Sequence, residues 1–262
     1  MDANVRIGPL VMSISLLIFI AAVFSLAGFV KGVIGLGLPT VSMGMLAVAM
    51  APAHALAIVI VPGILTNIWQ TFSGPYFLGI VKRLWPLLLG LTVGIRLDGD
   101  MMTGPYARYG SVMIGVLLVI YGIVSLRKFT VTVRPQDETW VGAVIGLTTG
   151  AISGATGLQV VPAIPFMQAL GMKKDELIQA LGVFFTIATL VQAFNLTAAG
   201  LYDESAALPG VIALVFAFTG MAIGQTVRSR LEPEAFRRWF LILMMLLGAY
   251  LAAAASYEIY VG

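Results

Sequence analysis

The chain has no cysteine, a single histidine and few charged residues. With Cys 0 and His 1, disulfides, thiol nucleophiles and metal sites rich in cysteine or histidine are excluded. Charged residues make up 10% of the chain, whereas a soluble domain of this size would carry about a quarter. A phosphate-binding loop of the Walker type is also missing, which argues against a pump driven by nucleotide hydrolysis. We therefore expect no cofactor, no bound metal and no soluble domain.

Long apolar runs fill most of the remaining sequence. Hydrophobic residues make up 60% of the 262 residues, and the mean hydropathy is +1.00. A helix that crosses a bilayer needs roughly 20 apolar residues, so the chain has room for many crossings. Apolar runs and the residues that interrupt them predict ten segments, of which the second, fourth, sixth and seventh are short. The predicted segments are 7–31, 38–50, 54–73, 83–96, 106–126, 139–154, 158–171, 176–199, 206–227 and 236–257.

The two halves of the chain share an internal repeat. At an offset of 122 residues, positions 28–72 align with 150–194 without a gap, and ten of the aligned positions are identical. This is about three times the number that chance gives at such a composition. After a further shift of eight residues, Gly90 aligns with Gly220 and Gly94 with Gly224. We therefore predict two copies of a five-segment unit, residues 1–128 and 129–262, within one transmembrane domain.

The basic residues favour one orientation of these segments. Loops 74–83, 127–138, 172–175 and 228–238 together hold 11 of the 15 Lys and Arg residues, and loops rich in these residues are cytoplasmic. Both termini then lie outside, and the second unit is inverted relative to the first. Membrane topology thus accounts for the net charge of +3, and no nucleic-acid partner is expected. Inverted repeats with broken helices are typical of secondary transporters.

Two glycine-rich runs, from Gly28 to Pro39 and from Gly150 to Pro162, resemble the duplicated motif of the sulfite exporter TauE/SafE family. The resemblance covers essentially the whole chain in length, repeat and position of the breaks. Gln159 stands where the family more usually has glycine. The resemblance implies a multi-pass protein of the bacterial inner (plasma) membrane. Its partners would be the lipid bilayer and a small anion such as sulfite or an organosulfonate, and a homo-oligomer is left open.

These observations predict an all-α integral membrane fold with two inverted five-segment repeats. A broken or re-entrant helix is expected at the start of each repeat, at residues 32–37 and 154–157. An anion that leaves water needs other hydrogen-bond donors, and the start of a helix supplies free backbone N–H groups and a favourable dipole. We therefore expect the anion to bind between the two breaks. The alternative interpretation of these glycines is close packing of helices through small residues.

Polar side chains beside the breaks complete the predicted site. Lys31 lies inside an apolar run, where charges are costly and usually functional, although a lysine near a helix end also reaches the membrane interface. Gln70 and Gln192 are repeat-related and lie on polar faces of segments three and eight, where they either line a cavity or bond the helices together. The predicted substrate-binding residues are Lys31, Gly35, Gly37, Thr40, Asn67, Gln70, Gly154, Thr156, Gly157, Gln159, Gln192 and Asn195.

The expected function is export of small sulfur-containing anions by alternating access, without enzymatic activity. All twelve Asp and Glu residues fall in or beside loops, which disfavours a relay of protons through buried carboxylates. An importer or a channel for related anions is the nearest alternative. An intramembrane hydrolase with a dyad of Ser153 and His54 is a further alternative, although the surrounding residues add no support for it.

Overall fold

The computed structural model describes residues 13–97, 109–127, 132–200, 206–228, 230 and 232–261. These residues form ten α-helices and no strand, so the all-α prediction is confirmed for the described part of the chain. The helices are α1 (Ile14–Ile34), α2 (Leu38–Leu46), α3 (Pro52–Phe72), α4 (Phe77–Leu97), α5 (Gly110–Leu126), α6 (Glu138–Thr156), α7 (Ala163–Ala169), α8 (Lys174–Ala198), α9 (Ala207–Val227) and α10 (Pro233–Val261).

Six of these helices are long and apolar enough to cross a membrane: α1, α3, α4, α8, α9 and α10. Their outward faces are apolar too, as Leu78 on α4 and Ile14 on α1 show with 79% and 77% exposure. Exposed apolar surface of this extent is stable against lipid and unfavourable in water. The chain is therefore a multi-pass membrane protein.

Both predicted breaks are present, and they share one backbone geometry. Gly35 is the C-cap of α1 and Gly157 is the C-cap of α6, with φ angles of 80° and 75°. Only glycine adopts such left-handed angles without strain. The N–H of Gly35 donates to the carbonyl of Lys31, and the N–H of Gly157 donates to the carbonyl of Ser153, at 2.8 Å in each case.

Several predicted boundaries were wrong. α1 continues to Ile34 rather than ending at residue 31, so the first break is only the three residues between Ile34 and Leu38. α6 continues to Thr156, and the helix after the second break begins at Ala163 rather than at residue 158. Pro162, which follows a cis peptide bond, is the N-cap of this seven-residue helix. The predicted start of segment five at residue 106 lies outside the described residues.

Segment four was also predicted too short. α4 begins at Phe77, so Lys82 and Arg83 lie in its second turn and not in a loop. Arg83 forms a bidentate ion pair with Glu138, the first residue of α6, at 2.8 and 2.6 Å, and it also donates to the carbonyl of Leu170 at 2.9 Å. These contacts join the start of α4 to α6 and to the end of α7.

Two helix pairs pack backbone to backbone through glycines. A Cβ added at Gly28 or Gly32 of α1 would lie 2.1 or 2.3 Å from a carbonyl oxygen of α9, and one added at Gly150 of α6 would lie 2.3 Å from the carbonyl oxygen of Leu91 in α4. Contact this close requires that no side chain intervene. Gly28, Gly32 and Gly150 therefore serve close packing in the pairs α1–α9 and α4–α6, which make the most extensive contacts among the described helices.

Contacts in the two halves correspond to one another. A Cβ at Gly35 would meet Ile178 of α8, whereas one at Gly157 would meet Leu56 of α3, and both pairs are related by the offset of 122. In the helices that pack beside these ends, Gly94 contacts Leu147 of α6 and Gly220 contacts Ser25 of α1. The inverted arrangement of two repeats stays a proposal that these matching contacts support.

Candidate functional site

Lys31 is a buried lysine on the last turn of α1, next to the first break. Its side chain is 4% exposed. The amino group donates to the hydroxyl oxygen of Thr66 at 3.1 Å and to the side-chain oxygen of Asn67. Among the described residues, no carboxylate forms an ion pair with it. Neutral oxygens replace only part of the water that a buried ammonium group loses, so the burial of this side chain is costly.

Gln70 connects the first break to the second half of the chain. Its amide nitrogen donates to the carbonyl of Gly35 at 2.9 Å and to the carbonyl of Ile178 at 2.7 Å. Both donors are thereby used, while its oxygen and the amide nitrogen of Asn67 are buried without a partner. Unpaired buried polar atoms are costly. A ligand or a conformational change that supplied the missing partners would therefore be favoured here.

A cavity of about 350 Å³ opens beside Lys31. Two basic residues, Lys31 and Arg228, and one carboxylate, Asp175, line it. The loop between α3 and α4 closes one side. The lining consists of Lys31, Gly32, Gly35, Trp69, Gln70, Ser73, Gly74, Pro75, Tyr76, Asp175, Ile178, Gln179, Met221, Gln225 and Arg228.

Gln179 of α8 holds the loop that closes this cavity. Its amide nitrogen donates to the carbonyls of Thr71 and Gly74, both at 2.7 Å, and its oxygen accepts from the N–H of Tyr76 at 2.9 Å. The side chain is 1% exposed. One glutamine thus satisfies three backbone groups at the end of α3 and in the loop that follows it, and it fixes the shape of the cavity wall.

We expect Gln179→Leu to release this loop. At about 1 kcal/mol for each of the three lost bonds, the amide of Tyr76 should exchange with solvent roughly a hundredfold faster. Hydrogen exchange read by mass spectrometry measures this. Gln225→Leu is the control, because Gln225 is an exposed glutamine that lines the same cavity. Equal exchange at Tyr76 in wild type and Gln179→Leu would show that Gln179 does not hold the loop.

The second break has a separate cluster of neutral polar groups. Gln192 donates to the hydroxyl and the carbonyl oxygens of Ser153 at 2.8 and 3.1 Å, and it accepts from Gln159 at 2.5 Å. The oxygen of Gln159 is buried without a partner. Thr156 serves the break itself, since its hydroxyl accepts from the N–H of Leu158 at 3.2 Å and donates to the carbonyl of Ile152 at 2.7 Å.

The two clusters lie at different levels of the molecule. α3 and α8 are antiparallel, because Gly63 packs against Thr189 while Gly182 packs against Gln70 and Thr71. Gln192 therefore lies opposite a part of α3 about ten residues before Gln70, which corresponds to roughly 15 Å along the helix. The structure thus divides the predicted residues between two locations, one at each break.

The remaining predicted residues lie around these clusters. Gly37 is the N-cap of α2, with a φ angle of 111°, and Thr40 is buried in the first turn of that helix. Gly154 is buried in the last turn of α6. Asn195 belongs to neither cluster, because it donates to the carbonyl of Ile95 and accepts from Arg96, at 2.9 Å in both cases. It joins α8 to the end of α4.

Gln179, Gln225 and Arg228 are among the lining residues of the first cavity that were missed from the sequence. Arg228 was assigned to the predicted loop 228–238, outside the apolar segments, so it was not considered as a site residue. Gln179 corresponds at the repeat offset to Ala57, so the repeat gave no signal. A single glutamine near the start of a predicted helix is the only sequence feature that could have indicated it.

The helices and the apolar outer surface define a multi-pass membrane protein, and its interior holds a cavity beside the buried Lys31. The family model for the sulfite exporter TauE/SafE matches residues 20–251. The chain therefore belongs to the sulfite exporter TauE/SafE family, as the glycine-rich runs indicated, and membership indicates a membrane transporter of sulfur anions. No curated protein and no solved structure gives a significant match to the chain.

Proposed function

We propose that this protein is a secondary transporter that exports a small sulfur-containing anion, such as sulfite or an organosulfonate, and that Lys31 binds it. The observation that carries the proposal is a buried lysine at the wall of a cavity, with no carboxylate partner in the described part of the chain. A charge buried in a membrane protein is costly, and such charges usually serve a function. An entering anion would offset part of that cost.

The location of the cavity supports a route from the cytoplasm. Its lining includes the end of α3, the start of α8 and the end of α9, and the distribution of basic residues assigns these ends to the cytoplasmic side. Export of one negative charge from a cell with a negative interior is favoured by roughly 2.3 kcal/mol per 100 mV. Export by uniport is therefore consistent with the charge of the site.

Alternating access is the mechanism that we propose, because the two breaks differ in their bonding. At the first break a cavity is present, and Gln70 bonds to the other half of the chain. At the second break Gln192 bonds only to Ser153 and Gln159, within its own half. In a second state the two breaks would exchange these roles, so that the anion reaches the opposite side.

The alternatives make distinct predictions. A channel would show no saturation and no counterflow in proteoliposomes, and an importer would accumulate the anion in the opposite direction. A hydrolase would need a base next to Ser153. The hydroxyl oxygen of Ser153 instead accepts from the amide of Gln192, and an amide group does not take up a proton at neutral pH.

The substrate class is tested by thermal stabilisation of the purified protein. A ligand that binds only the folded state stabilises it by about 2.7 kcal/mol at a hundred times its dissociation constant. We expect sulfite or an organosulfonate to raise the melting temperature, and simple carboxylates to raise it less. Equal shifts with chloride at the same ionic strength would contradict the proposed class of substrate. Counterflow in proteoliposomes then tests transport itself.

A further inference from the structure

A second and larger cavity lies away from both breaks, between the end of α5 and the start of α10. Its volume is about 520 Å³, and the proposed transport path makes no use of it. The described lining residues divide into a polar group and an apolar group. They are Ser125, Leu126, Glu234, Ala235, Arg237, Arg238, Leu241 and Ile242.

The polar part of this cavity favours an anion. Arg237 and Arg238 are adjacent residues near the start of α10, where the helix dipole adds positive potential. Arg237 already donates to the carbonyl of Ser125 at 3.3 Å, and a guanidinium group retains further donors after one such bond. Arg238 is exposed. Glu234 is the one carboxylate among the described lining residues, so the two arginines outnumber it.

The apolar part distinguishes a lipid from a free anion. Leu241 is 1% exposed and forms the inner wall with Leu126 and Ile242. A small phosphate ion gains nothing from such a wall, whereas an acyl chain gains from burial against it. Trp239, the residue after Arg238, is 66% exposed, and exposed tryptophan is enriched where a membrane meets water. The cavity thus has the polarity of a site at the level of lipid headgroups.

We propose that this cavity binds an anionic phospholipid, with its phosphate on Arg237 and Arg238 and the start of an acyl chain against Leu126, Leu241 and Ile242. The distribution of basic residues assigns both helix ends to the cytoplasmic leaflet, where anionic lipids and basic clusters meet. The bound lipid would join α5 to α10, which pack against each other. This inference is independent of the transported substrate.

Native mass spectrometry of the detergent-purified protein tests the site. Wild type should bind phosphatidylglycerol at least several-fold more tightly than phosphatidylcholine with the same acyl chains. The Arg237→Gln/Arg238→Gln variant should lose about tenfold or more of its affinity for phosphatidylglycerol, and its affinity for phosphatidylcholine should be unchanged. Arg238→Gln alone, at an exposed position, should give part of the loss if the double variant folds poorly.

A matched control separates this cavity from general surface charge. Arg134→Gln/Arg230→Gln removes two exposed arginines that do not line the cavity and lie on the same predicted side, and it should retain the lipid preference. An equal loss in both double variants would overturn the proposal, because the effect would then depend on net charge. Equal binding of the two lipids to wild type, or displacement of phosphatidylglycerol by an equal concentration of glycerol phosphate, would overturn it too.

Discussion

Lys31→Met is expected to abolish most of the stabilisation by sulfite or organosulfonate and to leave the folded protein intact. A hydrogen bond to a charged group contributes about 1.5 to 3 kcal/mol, so the loss corresponds to about tenfold to a hundredfold in affinity. Methionine is close to lysine in length and carries no charge. Titration of the anion against the melting temperature, or uptake into proteoliposomes, measures the effect.

The stability of this variant without ligand provides a second criterion. Lys31 is buried and has no carboxylate partner among the described residues, so its removal relieves a desolvation cost. It also leaves the oxygens of Thr66 and Asn67 without a donor, which opposes that gain. We expect the ligand-free melting temperature to be unchanged or higher. Lys82→Met is the matched control because Lys82 is exposed on α4; anion affinity that falls equally in both variants would remove the proposed role of Lys31.

Gly150→Ala should cause a large loss of stability for the addition of a single methyl group. The added Cβ would lie 2.3 Å from the carbonyl oxygen of Leu91 and 2.8 Å from the Cα of Gly94. These are backbone atoms, so the helices α4 and α6 would have to separate. Overpacking of this kind costs about 3 kcal/mol. Thermal unfolding in detergent, followed by circular dichroism, measures the change.

Gly79→Ala is the control for this prediction. Gly79 lies on α4, the partner helix in the same pair, and an added Cβ has no atom within 4 Å. Alanine is favoured over glycine in a helix by roughly 0.5 to 1 kcal/mol, so this variant should be as stable as wild type or more stable. If Gly150→Ala unfolds at the same temperature as Gly79→Ala, the backbone contact between α4 and α6 is looser than described.

The helices and both breaks could be predicted because composition and local chemistry determine them. Apolar runs require helices in lipid, and Gly35 and Gly157 end helices because each adopts a positive φ angle. The start of α4 could not be predicted, because basic residues such as Lys82 and Arg83 between apolar runs are typical of loops in membrane proteins. Their position within a helix depends on Glu138, which is distant in sequence and compensates the charge of Arg83.

The site was predictable only in part. Lys31 and Gln70 were indicated by polarity within apolar runs, and the structure brings both to the first cavity. The separation of Gln70 from Gln192 depends on the antiparallel packing of α3 and α8, which a sequence alignment does not contain. Gln179 was missed because its partners are backbone groups of a distant loop. Every residue has such backbone groups, so the sequence does not indicate the contact.

The glycine contacts described for α1–α9 and α4–α6 also determine how the molecule can deform. Where two backbones touch, no layer of side chains remains that could change rotamer and let one helix slide along the other. Each pair therefore moves as a rigid body. The contacts of α3 with α8 include threonine hydroxyls and glutamine side chains, which can exchange partners over short distances. If the protein works by the proposed alternating access, we expect the motion to occur at the boundary between the two pairs and the central helices, where both breaks lie.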